Sequence, residues 1–159
     1  MIHIGHSAMP GFPWHDFYDL MQDEAILAPQ LEDGMRPLTA GELQQYEGDP
    51  RRTVWLVHND RTPLGFIMLA RTGTVTKELH TGWRAGTARL RREVWAYVQE
   101  REFASGIATI TATVPAFNRR TCHMAVAIGF RRVGVWPKSF LQNGILHDQL
   151  LYAVTKGDM

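Results

Sequence analysis

The sequence predicts an α/β fold, a mixed sheet with helices packed on it. Three observations carry that prediction. From residue 53 onward, extended and helical patterns alternate in the order β-β-β-α-β-α-β-β. Residues 107–114 (IATITATV) are β-branched and almost wholly apolar or Thr, the composition of a central buried strand. The two helical stretches on either side of that run, residues 88–105 and 118–128, space their apolar residues at helical intervals. At 159 residues the chain reads as one domain, 1–159, with 1–50 an N-terminal strand and helical cover and 53–154 the core.

In chain order, residues 1–7 (MIHIGHS) alternate Ile2 and Ile4 with His3 and suit a short first strand. His3 and His6 read as surface residues and not as metal ligands. Pro10, Gly11 and Pro13 make a turn. From Trp14 the spacing of Phe17, Leu20, Met21 and Glu24 is helical, and Pro29, Gly34 and Pro37 then break the chain. This irregular region is expected to cover one side of a substrate cleft. Residues 39–46 suit a short helix, with Thr39 as N-cap and Glu42 completing a capping box. Residues 53–58 and 63–71 read as strands of a hairpin, and 75–80 as a third strand of the same meander. In the next helix Leu90, Val94, Tyr97 and Val98 share one face, and Gly106 ends it. The strand 107–114 stops at Pro115. In the helix 118–128, Thr121, Met124, Ala125 and Ile128 share a face, and Gly129 is placed to close its C-terminus. Two last strands, 133–141 and 146–154, flank Asn143-Gly144, a strong hairpin signal.

The bulk properties narrow the function. A formal net charge of +1 and 21% charged residues give neither a basic nor an acidic field, so specific nucleic-acid binding is not expected. The single cysteine, Cys122, allows no internal disulfide, which suits a reducing compartment. Neither a signal peptide nor a membrane-spanning run is evident, so the expected location is cytoplasmic. No metal-ligand spacing and no Ser/His/Asp or paired-Cys pattern is present. Trp14, Trp136 and Phe140 suit either a core or an interface, so an oligomer is open.

The stretch 78–88 (ELHTGWRAGTA) carries the chemistry. A strand ends, a small-residue loop with Gly82, Arg84 and Gly86 follows, and a helix begins. The free N–H groups of a first helical turn, with the helix dipole, make an anion site, and small residues let a phosphate approach the backbone. An ordinary strand-to-helix turn has the same pattern.

The element order and certain residues together resemble the GCN5-related N-acetyltransferase (GNAT) superfamily, closest to its ribosomal-protein and protein N-acetyltransferase branch. Asn118-Arg119-Arg120-Thr121, then seven residues, then Gly129-Phe130-Arg131-Arg132-Val133-Gly134 is similar to that branch's Asn, two residues, Ser or Thr, helix, Gly-Phe pattern. Asn143-Gly144 followed by residues 147–152 (HDQLLY) is similar to its last hairpin. Residues 83–88 (WRAGTA) match its acetyl-CoA loop at Gly86 and Ala88, with Trp83 where the family has Arg or Gln. The resemblance implies a mostly antiparallel central sheet with helices on both faces. It also implies acetyl-CoA as substrate, no metal, and an amine acceptor, a protein or peptide amine before a small molecule.

The resemblance further assigns roles. Gly86, Thr87 and Ala88 would offer backbone N–H groups to the CoA pyrophosphate, with Arg84 or Arg89 adding charge, and Trp83 and Ala85 complete the loop. His80, Thr81 and Gly82 end the strand that pairs with the pantetheine arm. Asn118 and Thr121 open the next helix beside the cofactor, a role compatible with Asn118 as an ordinary N-cap. Glu78 and His80 alternate on one strand and share a face, so they are the candidates for the base that takes the amine proton; a solvated Glu78 and a packed His80 fit the same pattern. The family's Tyr acid falls at Ala125, with Tyr152 and His123 as weak substitutes. No activated nucleophile is present, so transfer would be direct. The rival reading is a non-catalytic binding or structural module of this fold, of the kind expected in a viral assembly.

Overall fold

The structure, a computed structural model, describes residues 1–158. Seven strands form one sheet: β1 (Ile2–His6), β2 (Arg52–Asn59), β3 (Thr62–Arg71), β4 (Thr76–Trp83), β5 (Thr109–Pro115), β6 (Arg131–Gln142) and β7 (Ile145–Thr155). Their spatial order is β1-β2-β3-β4-β5-β7-β6, and only β4 and β5 run parallel. The helices are α1 (Trp14–Gln22), α2 (Glu24–Leu27), α3 (Ala40–Leu43), α4 (Ala88–Ala104) and α5 (Arg119–Ala127). The element order from residue 53 is the one the sequence predicts.

Period-two alternation divides the core between the two faces of the sheet. Trp55, Val57, Ile67 and Leu69 face α4 and α5, where Val94, Trp95, Val98 and Phe103 meet them. Val54, Leu56, Phe66 and Met68 face the other way, against Phe17, Leu20, Ile26 and Leu43 of the cover. His58 Nε2 lies 2.8 Å from Asp16 Oδ2 and ties α1 to β2. The Thr39–Glu42 capping box is formed, and Asn143 and Gly144 take φ values of 53° and 72° in the last turn.

Several sequence expectations shift. The third strand runs to Trp83, three residues beyond the expected end, so Thr81, Gly82 and Trp83 are strand residues and the loop shrinks to residues 84–87. The buried stripe of α4 is Val94, Trp95, Val98, Gln99, Glu102 and Phe103, and Tyr97 is exposed. Two polar residues in that stripe hid it. Glu102 is buried because Lys77 Nζ donates to its Oε2 at 2.6 Å and Trp55 Nε1 to its Oε1 at 3.0 Å. In α5 the buried residues are Cys122 and Ala125, and Thr121 is exposed. The strand β5 is buried on one face only; Thr109, Thr111 and Thr113 are half-exposed on the other.

Candidate functional site

The site begins where two strands part. β4 pairs with β3 along its whole length, Lys77 opposite Arg71 through Trp83 opposite Gly65. Its parallel ladder with β5 covers only Thr76–Glu78 against Thr109–Thr111. Beyond Glu78 the two strands diverge, while β5 continues against β7 as far as Pro115. The sheet is therefore split at its centre, and two cavities occupy the split.

The first cavity, about 290 Å³, is lined by Leu79, Thr81 and Trp83 from β4 and Ala112 and Val114 from β5, with Asn118 heading α5. The second, about 270 Å³, is lined on the facing strands by Glu78, His80, Thr113 and Gln149, with Trp136 and Phe140 beside them. Leu79, His80, Thr113, Pro115 and Gln30 line both. The two openings adjoin along the split and form the passage between β4 and β5 only where these shared residues stand.

Gln30 spans that passage. Its Nε2 donates to the Thr81 carbonyl at 3.3 Å and to the Ile26 carbonyl at 3.0 Å. Neighbouring cover residues are fastened to the last hairpin. Glu32 Oε1 accepts from the Leu141 N–H at 3.0 Å, and Asp33 accepts from the Asn143 and Gly144 N–H groups at 2.8 and 2.7 Å. The irregular region thus forms one wall of the cleft, as its sequence position suggests. The contact also fixes a direction: the Thr81 carbonyl faces the open side of β4, and by the two-residue repeat the Leu79 N–H faces it too.

At the end marked by Trp83, the chain turns through residues 84–87 into α4. The Arg84 N–H still donates to the Leu64 carbonyl at 2.9 Å. The Arg84 carbonyl accepts from Thr87 Oγ1 at 2.7 Å, and Thr87 Oγ1 accepts from Arg91 Nε at 3.0 Å. Ala85, Gly86 and Ala88 are exposed, and Thr87 is buried. Gly86 has φ +80°, a left-handed conformation that a glycine adopts without strain. Directly behind this turn are the unbonded N–H groups of the first turn of α4.

Of the predicted loop residues Thr81 and Trp83 line the cleft, and Gly82, Arg84, Ala85, Gly86, Thr87 and Ala88 line neither cavity. Gly82 sits in β4, outside the 84–87 turn, and a Cβ there would lie 2.6 Å from Ile26 Cγ2 and against the Phe66 ring. Its smallness serves packing. Arg84 and Arg89 are not the cations at the cavity. Arg91 and Arg120 line it instead, and the Arg91 guanidinium lies 5.7 Å from the Trp83 ring centroid. Burial, and then the like charge of Arg120, hold Arg91 below the ordinary guanidinium range. Both arginines stand in the local Arg-rich runs of the sequence, but no motif singles them out. Gln30 and Gln149 carried no signal, and Trp136 read only as a core or interface aromatic.

Asn118 caps α5, its Oδ1 accepting from the Thr121 N–H at 3.2 Å, and both residues line the first cavity. Ala125 lines it as well, so no acid stands there. Tyr152 is a core residue, its phenol pushed up to about 12 by burial and the Cys122 thiol, and His123 is exposed; neither lines the cavity. Glu78 and His80 are close, His80 Nε2 lying 3.7 Å from Glu78 Oε2. Among the described residues no group of three or more His, Cys, Asp or Glu is placed to hold a metal ion, and no helix is long and apolar enough to cross a membrane.

Solved structures share this fold. An acetyltransferase of the GNAT family from Streptococcus pneumoniae matches with a TM-score of 0.78 at 15% identity, over 98% of this chain and 99% of that one. The chain has the GNAT fold. A spermidine N-acetyltransferase from Vibrio cholerae, in complex with CoA and spermine, matches with a TM-score of 0.75 at 16% identity, over 98% and 96% of the two chains. The ribosomal-protein-S18-alanine N-acetyltransferase from Escherichia coli matches with a TM-score of 0.75 at 14% identity, over 98% and 94%. No protein-family model and no curated protein matches the sequence. At these identities the GNAT likeness is one of backbone arrangement, and the chemistry must be argued from this chain's own residues.

Proposed function

We propose that the chain is an N-acetyltransferase that moves an acetyl group from acetyl-CoA directly to an amine, a protein or peptide amine in preference to a small molecule. The observation that carries the reading is the split after Glu78, with anion-binding equipment on one side and a carboxylate on the other. The CoA-bound Vibrio neighbour supports acetyl-CoA as the donor. The first cavity lies at the lower end of the usual range for small-molecule pockets, roughly 300 Å³ upward, which suits a slender pantetheine arm.

Bound there, acetyl-CoA would supply an activated acyl carbon and a thiol leaving group. The loop 84–87, the first turn of α4 and the Arg91 and Arg120 cations would hold its phosphates. The open backbone edge of β4 would hold the arm, after Gln30 yields the Thr81 carbonyl. The Leu79 N–H, on that same edge, would meet negative charge developing on the acyl oxygen. Glu78, in the other opening, would take the amine proton directly or through one water as the new N–C bond forms. With Ala125 at the acid position, the sulfur leaves as a thiolate and takes its proton from solvent, as a thiol with an ordinary pKa of about 8.5 can.

A cleft plugged by Trp83 or by residues 8–50 would favour the non-catalytic reading; Trp83 lines an open cavity of about 290 Å³, and of the cover Gln30 reaches across to the Thr81 carbonyl. The experiment is thiol release from acetyl-CoA in the presence of a mixture of short peptides. Release that falls by about 100-fold or more in Glu78→Gln, with CoA affinity unchanged, is expected. Equal release from both proteins would remove Glu78 from the reaction, and none from either would leave the fold without the chemistry.

A further inference from the structure

The second cavity has a composition that restricts the acceptor. Resting on the acetyltransferase reading, we propose that the acceptor is an α-amine on an apolar body with no second cation, such as a peptide beginning with a bulky apolar residue, and that Trp136 and Phe140 hold that body. Glu78 is the one carboxylate among the described residues that line this opening. It meets the cationic amine. Asp148, Glu32 and Asp33 do not line it and are turned to backbone N–H groups. Asp148 Oδ1 accepts from the Lys138 N–H at 2.9 Å. Glu32 accepts from Leu141, and both carboxylate oxygens of Asp33 are taken by the last turn. A second ammonium group, as in a polyamine or an N-terminal lysine, meets no further carboxylate among the residues that line the opening.

Opposite Glu78 the wall is aromatic. β6 breaks register with β7 between Trp136, opposite Gln149, and Phe140, opposite His147. The three residues between them bulge out, Lys138 at φ 48°. The bulge brings Trp136 and Phe140 to the same opening, which strict alternation over four residues also allows and the extra twist sharpens. Phe140 is buried as a floor, backed by Phe117 at 5.9 Å, whereas Trp136 is 54% exposed at the rim. An exposed indole beside a carboxylate offers a cationic amine one attractive face and its apolar substituent another.

The test uses the full chain and three acceptors: the peptide Phe-Ala-Ala-Gly, the peptide Lys-Ala-Ala-Gly and spermidine. Thiol release from acetyl-CoA is followed with the unaltered protein and Trp136→Ala, and CoA affinity is measured for both. The expected result is a kcat/KM for the Phe peptide roughly tenfold above the other two. Trp136→Ala abolishes that preference through KM, with kcat within about twofold and CoA affinity unchanged. Equal or better use of spermidine or the Lys peptide overturns the proposal. So does a preference that survives Trp136→Ala, or a protein that binds CoA and uses none of the three. A protein that does not bind CoA overturns the acetyltransferase reading itself.

Discussion

Glu78 and His80 lie on one face of β4 with His80 Nε2 3.7 Å from Glu78 Oε2, at the residue where the parallel ladder with β5 ends. At that separation the imidazole acts on the carboxylate by a long hydrogen-bonding contact first and by its charge second. The imidazole nevertheless holds the Glu78 carboxyl below its ordinary 4.5, against half-burial that would raise it.

The sign of the pH effect follows. A carboxyl depressed in the folded state adds stability above its unfolded pKa and loses it as pH falls through the folded one. Glu78 is thus ionised at neutral pH, ready to accept a proton, and its window lies below 4.5. Replacing His80 by Asn removes the lowering cause and leaves the burial. Carboxyl carbon NMR should place the Glu78 titration below 4.5 in the unaltered protein and above it in His80→Asn. An unmoved midpoint would show that His80 does not tune it.

Arg91 and Arg120 repel one another across the first cavity, and an anion between them relieves both. Arg91→Gln and Arg120→Gln are each expected to weaken CoA binding about tenfold, the scale of one charge-assisted hydrogen bond. Acetyl-pantetheine, which has no phosphate, should bind both variants as it binds the original. Equal losses for the two ligands would mean that the arginines shape the cleft and leave phosphate alone.

Gly82 tests the reassignment of the loop. In Gly82→Ala the new methyl meets Ile26 Cγ2 at 2.6 Å and the Phe66 ring. Urea unfolding should show a loss of about 1–3 kcal/mol, with CoA affinity of the folded fraction changed little. Intact stability with lost CoA affinity would return Gly82 to the anion site.

The sheet and its order were legible because long β-branched runs, Asn143-Gly144 and Gly129 speak through local chemistry. The Thr39–Glu42 cap was legible for the same reason. The end of β4 was not legible in the residue pattern, which stops the strand at residue 80, because the strand conformation of Thr81, Gly82 and Trp83 depends on pairing with Ile67, Phe66 and Gly65; only the resemblance put Thr81 and Gly82 at the strand end. The stripe of α4 was masked because Glu102 is buried only in company with Lys77, a partner 25 residues away. That Glu78 and His80 share one face of β4 follows from period two. Gln30, Arg91, Arg120 and Trp136 gather only when distant segments meet, and a single sequence holds no local trace of that meeting.

The central claim is that the turn at Gly86 receives phosphate. Two variants separate charge from strain, because Asn and Asp both tolerate the φ of +80° found there and a Cβ meets no atom within 4 Å. Calorimetric titration with CoA should show micromolar binding to the unaltered protein, binding within about tenfold of it for Gly86→Asn, and a loss of about 100-fold or more for Gly86→Asp, where a like charge faces the phosphate. Equal affinity in Gly86→Asn and Gly86→Asp would contradict the account, and the turn would then be a connection between β4 and α4 and nothing more.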